Sequence, residues 1–182
     1  MYLSLNKFLK EKFGEKVKKI PLDAGFTCPN RDGTKGFGGC IYCDKKGSGT
    51  GLYPVLNLKE QIQLFINKFS QKGYKKFIAY FQSFSNTYAP KEKLEEIYSS
   101  VLDFPEIIGI AIGTRPDCIN KDVITLLKYF QSLGYYLWVE LGLQTIHNET
   151  LKKINRGHTY EEFVEAYQLL KESGIPICIH LI

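Results

Sequence analysis

The chain has 182 residues, 44% of them hydrophobic, enough to bury the core of one globular domain. It contains no run of eighteen apolar residues, which excludes a membrane-spanning helix, and no secretory h-region at its start, so the cytoplasm is the expected compartment and its five cysteines read as reduced thiols rather than a disulfide framework. The net charge of +5 is concentrated in residues 1–20, where six lysines face only Glu11 and Glu15.

Residues 1–16 predict a basic amphipathic lead-in helix with Leu5, Phe8, Leu9 and Phe13 on its apolar stripe. Its lysines read either as a phosphate-contacting patch or as a solvated helix face, and the second is preferred because no arginines or aromatics are interleaved. A first strand follows at 17–22, then a loop rich in glycine that holds seven of the sixteen glycines between Gly33 and Gly51. Beyond it the pattern alternates. Leu58, Ile62, Phe65, Ile66 and Phe69 form one helical stripe and Leu94, Ile97, Tyr98 and Val101 another; two more helices are expected at 121–133 and 160–173. The intervening runs 75–82, 107–114, 135–143 and 175–182 are almost continuously apolar, as strands buried on both faces are. Gly14, Gly73, Gly134 and Gly174 each stand where a helix would end before the next strand. Repeated strand–helix units predict an α/β fold with about five parallel strands, either a βα-barrel or a doubly wound sheet. Because the chain stops inside its fifth apolar run, further βα units are expected beyond residue 182 of the full-length protein.

Cys28, Cys40 and Cys43 stand in the polar glycine-rich loop, where core burial is implausible, whereas Cys118 and Cys178 read as small buried hydrophobes. A cubane iron–sulfur cluster takes one thiolate per iron, so three cysteines leave one iron open. Zinc competes for the same residues, but no fourth cysteine or histidine lies near them, and His147 and His158 are distant in sequence. Polar residues gather after the strands: Gln82, Ser83, Asn86 and Thr87 after the second, Thr114, Arg115 and Asp117 after the third, Glu140 and Gln144 in and after the fourth. In a parallel βα architecture these strand ends share one face, where active sites lie. Each residue also has a structural reading: Glu140 as a buried carboxylate paired with Arg115 or Arg156, Arg156 as a loop closer, Asn86 and Thr87 as an ordinary turn.

The spacing C-x11-C-x2-C, with Tyr42 just before the third cysteine, resembles a widened form of the radical S-adenosylmethionine (radical SAM) motif, whose commoner form is C-x3-C-x-aromatic-C. The stretches CPNRDGTKGFGGCIYCD, YFQSFSNTYAP, GTRPDC and ELGLQTIHNETLKKINRGHTY, in that order, resemble the YhcC-like radical SAM proteins, relatives of the catalytic subunit of Elongator. The resemblance covers essentially the whole chain. It implies the N-terminal part of a radical SAM core domain over 1–182, a partial (β/α) barrel. It further implies a [4Fe–4S] cluster on Cys28, Cys40 and Cys43, with S-adenosylmethionine on the open iron. Reduction by an external electron donor would then cleave it to a 5′-deoxyadenosyl radical that abstracts hydrogen from a substrate, with RNA or tRNA as a candidate. By the same resemblance Tyr42 lies near the adenine. Gln82, Ser83 or Asn86 replaces a Gly-Gly-Glu-like run that receives the methionine amino group. Thr114 and Arg115 fall among the cofactor contacts, Glu140 and Gln144 near the ribose, and Arg156, twelve residues after Gln144, pairs with the methionine carboxylate. The second expectation, of a different class, is a zinc-stabilised nucleic-acid-binding module without catalysis.

Overall fold

The computed structural model describes residues 2–47 and 49–182. Helix α1 (Leu5–Phe13) leads into β1 (Val17–Leu22); then follow α2 (Leu58–Ser70), β2 (Lys76–Phe81), α3 (Lys91–Ser99), β3 (Ile107–Thr114), α4 (Lys121–Ser132), β4 (Tyr136–Gln144), α5 (Asn148–Lys153), α6 (Tyr160–Glu172) and β5 (Ile177–Leu181). The helix boundaries follow side-chain chemistry. Asn57 with Glu60, and Thr159 with Glu162, form reciprocal capping boxes at the starts of α2 and α6. Gly14 ends α1 in the left-handed conformation, with its N–H bonded to the Lys10 carbonyl, a backbone state glycine adopts without a Cβ clash.

All five strands are parallel and lie in sequence order, β1-β2-β3-β4-β5. A doubly wound sheet would reverse its order part-way; sequential order with the helices on one face is the arrangement of an opened barrel. The helix-covered face carries the main core, in which Ile20, Phe77, Phe81, Ile110, Val139 and Leu141 meet apolar side chains of α2, α3, α4 and α6. On the opposite, concave face, α1 packs Leu9 against Val17, Ile78, Ala111 and Trp138, closing the sheet at the N-terminal ends of its strands. The strand ends at the other pole stay open for chemistry. No helix among the described residues is long and apolar enough to cross a membrane.

Two features depart from the sequence expectations. Helix α5 was not anticipated, because six residues are too few to display an apolar stripe. Cys178 is exposed rather than buried, since β5 pairs only with β4 and four of its five residues are exposed. An apolar run identifies a strand but not whether it lies at a sheet edge.

Candidate active site

The loop from β1 to α2 crosses the C-terminal ends of the strands and folds back on itself through its own backbone. The Cys28 carbonyl accepts from the N–H groups of Arg31 and Asp32, and the Cys40 carbonyl accepts from the Cys43 N–H. Arg31 donates to the carbonyls of Cys43 and Asp44 at 3.2 and 2.6 Å, and its guanidinium lies over the Phe84 ring. The loop is then fixed to the segment after α5. Asn30 Nδ2 donates to the Asn155 carbonyl, Asn155 Nδ2 donates to the Gly39 carbonyl at 2.8 Å, and the Ile41 N–H donates to the Ile154 carbonyl at 3.1 Å. Lys35 reaches both Asp117 (3.1 Å) and Glu162 (2.7 Å).

These ties enclose a cavity of about 260 Å³ at the strand ends. Cys28, Cys40 and Cys43 all line it, together with Tyr42, Gln82, Thr114, Arg115, Glu140, Gln144 and Arg156. Ten of the twelve residues expected at a site are therefore brought together. Ser83 and Asn86 are fully buried and lie outside this wall. Asn86 Nδ2 donates to the Gly113 carbonyl, while Asn86 Oδ1 and Ser83 Oγ have no hydrogen-bond partner among the described residues. Gln82 and Ser85 are the polar residues of that run that reach the cavity.

Two guanidinium groups set the electrostatics. Arg115, 2% exposed, forms a bidentate pair with Asp117 at 2.9 and 3.0 Å and donates to the Arg156 carbonyl at 2.7 Å. Burial opposes the charge of Asp117, yet the Arg115 hydrogen bonds and charge, with Lys35, hold its carboxyl below the ordinary range. Arg156 Nη1 points at Cys40 Sγ at 3.7 Å, and Asn30 Nδ2 at the same sulfur at 3.8 Å. Burial alone would raise the Cys40 thiol; the Arg156 charge and hydrogen bond, then Tyr42 and Arg115, bring it below its usual value. The surroundings of Cys40 thus favour its thiolate, the form that ligates metals.

The expected pairing of Glu140 with Arg115 or Arg156 is replaced by another. Its carboxylate accepts from Lys19 Nζ at 2.5 Å, Trp138 Nε1 at 3.0 Å and His180 Nε2 at 3.1 Å, all on the concave face of the sheet. Lys19 reaches Glu140 from β1 across the concave face, and His180 from the adjacent β5, because alternate residues of each strand face the same side. Sequence reasoning also missed Asn30, Asn155 and His158; the run Asn155-Arg156-Gly157-His158-Thr159 holds three residues of the site, yet only its arginine stood out. Among the described residues, three that are not glycine adopt left-handed backbone, Phe84 (φ 62°), Gln144 (φ 72°) and Asn155 (φ 51°), and all three border the cavity or its clamp. Such strain concentrates at functional sites.

The donor set fits a cluster better than a single ion. Tetrahedral zinc needs four donors converging at about 2.0–2.3 Å, and among the described residues no group of three or more His, Cys, Asp or Glu surrounds one ion position. A cubane binds one thiolate at each iron, so its ligands are spread around a larger body. Three thiols distributed along one cavity wall, backed by two arginines, match that demand, and the zinc alternative is not favoured.

Comparison with known proteins agrees. The family model described as the Radical SAM superfamily matches residues 28–182. The uncharacterized protein YtqA of Bacillus subtilis is 46% identical over 183 aligned positions, covering 100% of this chain and 56% of the relative. Protein YhcC of Escherichia coli K12 is 38% identical over 174 positions, covering 96% and 56%. The chain therefore spans about half the length of these relatives. A shorter match, 47% identical over 75 residues, covers 41% of the chain and 13% of a tRNA uridine(34) acetyltransferase of Methanocaldococcus jannaschii. Among solved structures, archaeal Elp3 of Methanocaldococcus infernus superposes with a TM-score of 0.63 at 22% identity, covering 91% of this chain and 38% of that one, which supports the fold.

Proposed function

The chain belongs to the radical SAM superfamily, and from that premise we propose that it is the cofactor-binding part of a radical SAM enzyme whose cluster is held by Cys28, Cys40 and Cys43. The observation that supports this reading most is the convergence of the three cysteines with Arg115 and Arg156 on one cavity at the C-terminal strand ends. A [4Fe–4S] cluster with S-adenosylmethionine supplies a single-electron cleavage of the sulfonium, fed by an external donor, and a 5′-deoxyadenosyl radical that takes hydrogen from a substrate. The protein's own residues bind, orient and exclude water.

Within that reading, Arg156 offers its fork to the methionine carboxylate. Gln82, a polar residue of the β2 end that lines the cavity, receives the amino group, and Ser83 and Asn86 shape the turn behind it. Tyr42 lies beside the adenine, Gln144 reaches the ribose, and Thr114 and Arg115 close the wall between β3 and β4. Glu140, its carboxylate already held by three donors, belongs to the cavity floor rather than to the ribose. We take RNA as the substrate class to test first, because a stretch of 75 residues is similar to a tRNA-modifying enzyme. The cytoplasm is the proposed compartment, where thiols stay reduced.

Anaerobic reconstitution of the full-length protein with iron and sulfide, followed by electron paramagnetic resonance, tests the reading. A reduced [4Fe–4S] signal that changes on adding S-adenosylmethionine is expected, and each single Cys→Ala change at 28, 40 or 43 should abolish it. A signal indifferent to S-adenosylmethionine, or one that survives any of the three replacements, would refute the proposal.

A further inference from the structure

We propose that His158 is a positioning residue that fixes the guanidinium of Arg156 in register with the cavity; the inference rests on the site reading above. Both side chains are almost fully buried, Arg156 at 7% and His158 at 4% exposure. One edge of the guanidinium is gripped by two acceptors side by side: Arg156 Nε donates to His158 Nε2 at 2.9 Å and Nη2 donates to the Gly142 carbonyl at 2.8 Å. The imidazole can accept there only in one tautomer. Each ring nitrogen lies 3.1 Å from a carbonyl, Nδ1 from that of Thr159 and Nε2 from that of Gly142. Only Nε2 also faces a group that can do nothing but donate, the Arg156 Nε–H, so Nε2 keeps its lone pair and Nδ1 carries the proton toward Thr159. Burial, then the neighbouring Arg156 charge, holds the ring's pKa at about 4, so it is neutral at physiological pH.

The remaining terminal nitrogen, Nη1, points at Cys40 Sγ. Of the five N–H donors of an arginine, three are thereby engaged by partners among the described residues, and the other two are open to a ligand in the cavity that Arg156 lines. Two donors in a fixed fork are what a carboxylate requires. Room for this pose comes from Gly142, where a Cβ would stand 2.6 Å from Arg156 Nη2. Without the imidazole acceptor, the buried Nε–H would have no partner and the fork would turn to find one.

Two replacements in the full-length, cluster-loaded protein separate positioning from simple packing. His158→Leu keeps the volume and removes the acceptor; His158→Gln restores an acceptor oxygen close to the place of Nε2. The readout is the change in the reduced-cluster resonance as S-adenosylmethionine is titrated, with iron content and melting temperature measured beside it. His158→Leu should require about tenfold or more S-adenosylmethionine for the half-maximal change, and His158→Gln should lie within about threefold of wild type. Wild-type behaviour of the leucine variant, or an equal loss in the glutamine variant, overturns the inference. If the leucine variant fails to hold its cluster, the glutamine variant decides by the same threefold and tenfold limits. A wild-type signal that does not respond to S-adenosylmethionine refutes the site reading itself, and the positioning role with it.

Discussion

At the scale of single residues, Glu140 shows how a buried charge is kept. Burial disfavours its ionised form, but hydrogen bonds from His180 and Lys19, the Lys19 charge and the Tyr80 hydroxyl outweigh that and hold its pKa down at about 2. A carboxylate whose pKa falls on folding contributes stability that is fully present above its unfolded value near 4.5 and lost as pH falls toward 2. The difference corresponds to on the order of 3 kcal/mol. Chemical denaturation as a function of pH should show wild-type stability declining through that window. Glu140→Gln should be less stable at pH 7 and lack this part of the decline. Gly142 gives a second prediction. Alanine there would press on Arg156 Nη2, so Gly142→Ala should weaken S-adenosylmethionine binding by about tenfold in the same resonance titration while costing about 1–3 kcal/mol in stability. Neither Glu140's partners nor the Arg156–His158 pair was legible in the sequence. Lys19 and Glu140 are 121 positions apart, and only the register of β1 through β4 places them on one face.

Among the elements, the strands and every α-helix but α5 were readable because long apolar runs and stripes report burial directly. What remained hidden was set by neighbours: the short α5, the exposure of Cys178 on an edge strand, and the inward turn of Ser83 and Asn86 beneath the β2 end. The connection between α5 and α6 proves to be a structural partner of the cysteine loop rather than a spacer. Asn30 is 1% exposed and donates to the Asn155 carbonyl. Asn30→Ala should leave that carbonyl without its partner, lower stability by about 1–2 kcal/mol and reduce the iron bound per chain, as measured by denaturant unfolding and metal analysis after reconstitution. An unchanged iron content in that variant would mean that the loop holds its shape without the clamp.

Taken as a whole, the molecule is an opened barrel with a helix-covered outer face, a concave inner face plugged at one pole by α1, and a thiol-lined cavity at the other. The sequence already drew attention to the three cysteines that line the cavity, whereas the geometry that joins its two halves could come only from the fold. The clamp on the cysteine loop has a consequence for synthesis. Cys40 and Arg156 are 116 positions apart, so at about 5–20 residues per second a ribosome takes about 6–23 s to deliver the second after the first. During that interval the nascent chain carries its three thiols without the arginine, Asn155 or His158 that later surround them. Assembly of the thiol-lined cavity is therefore a late event in the life of the polypeptide, timed by translation of the fourth βα unit.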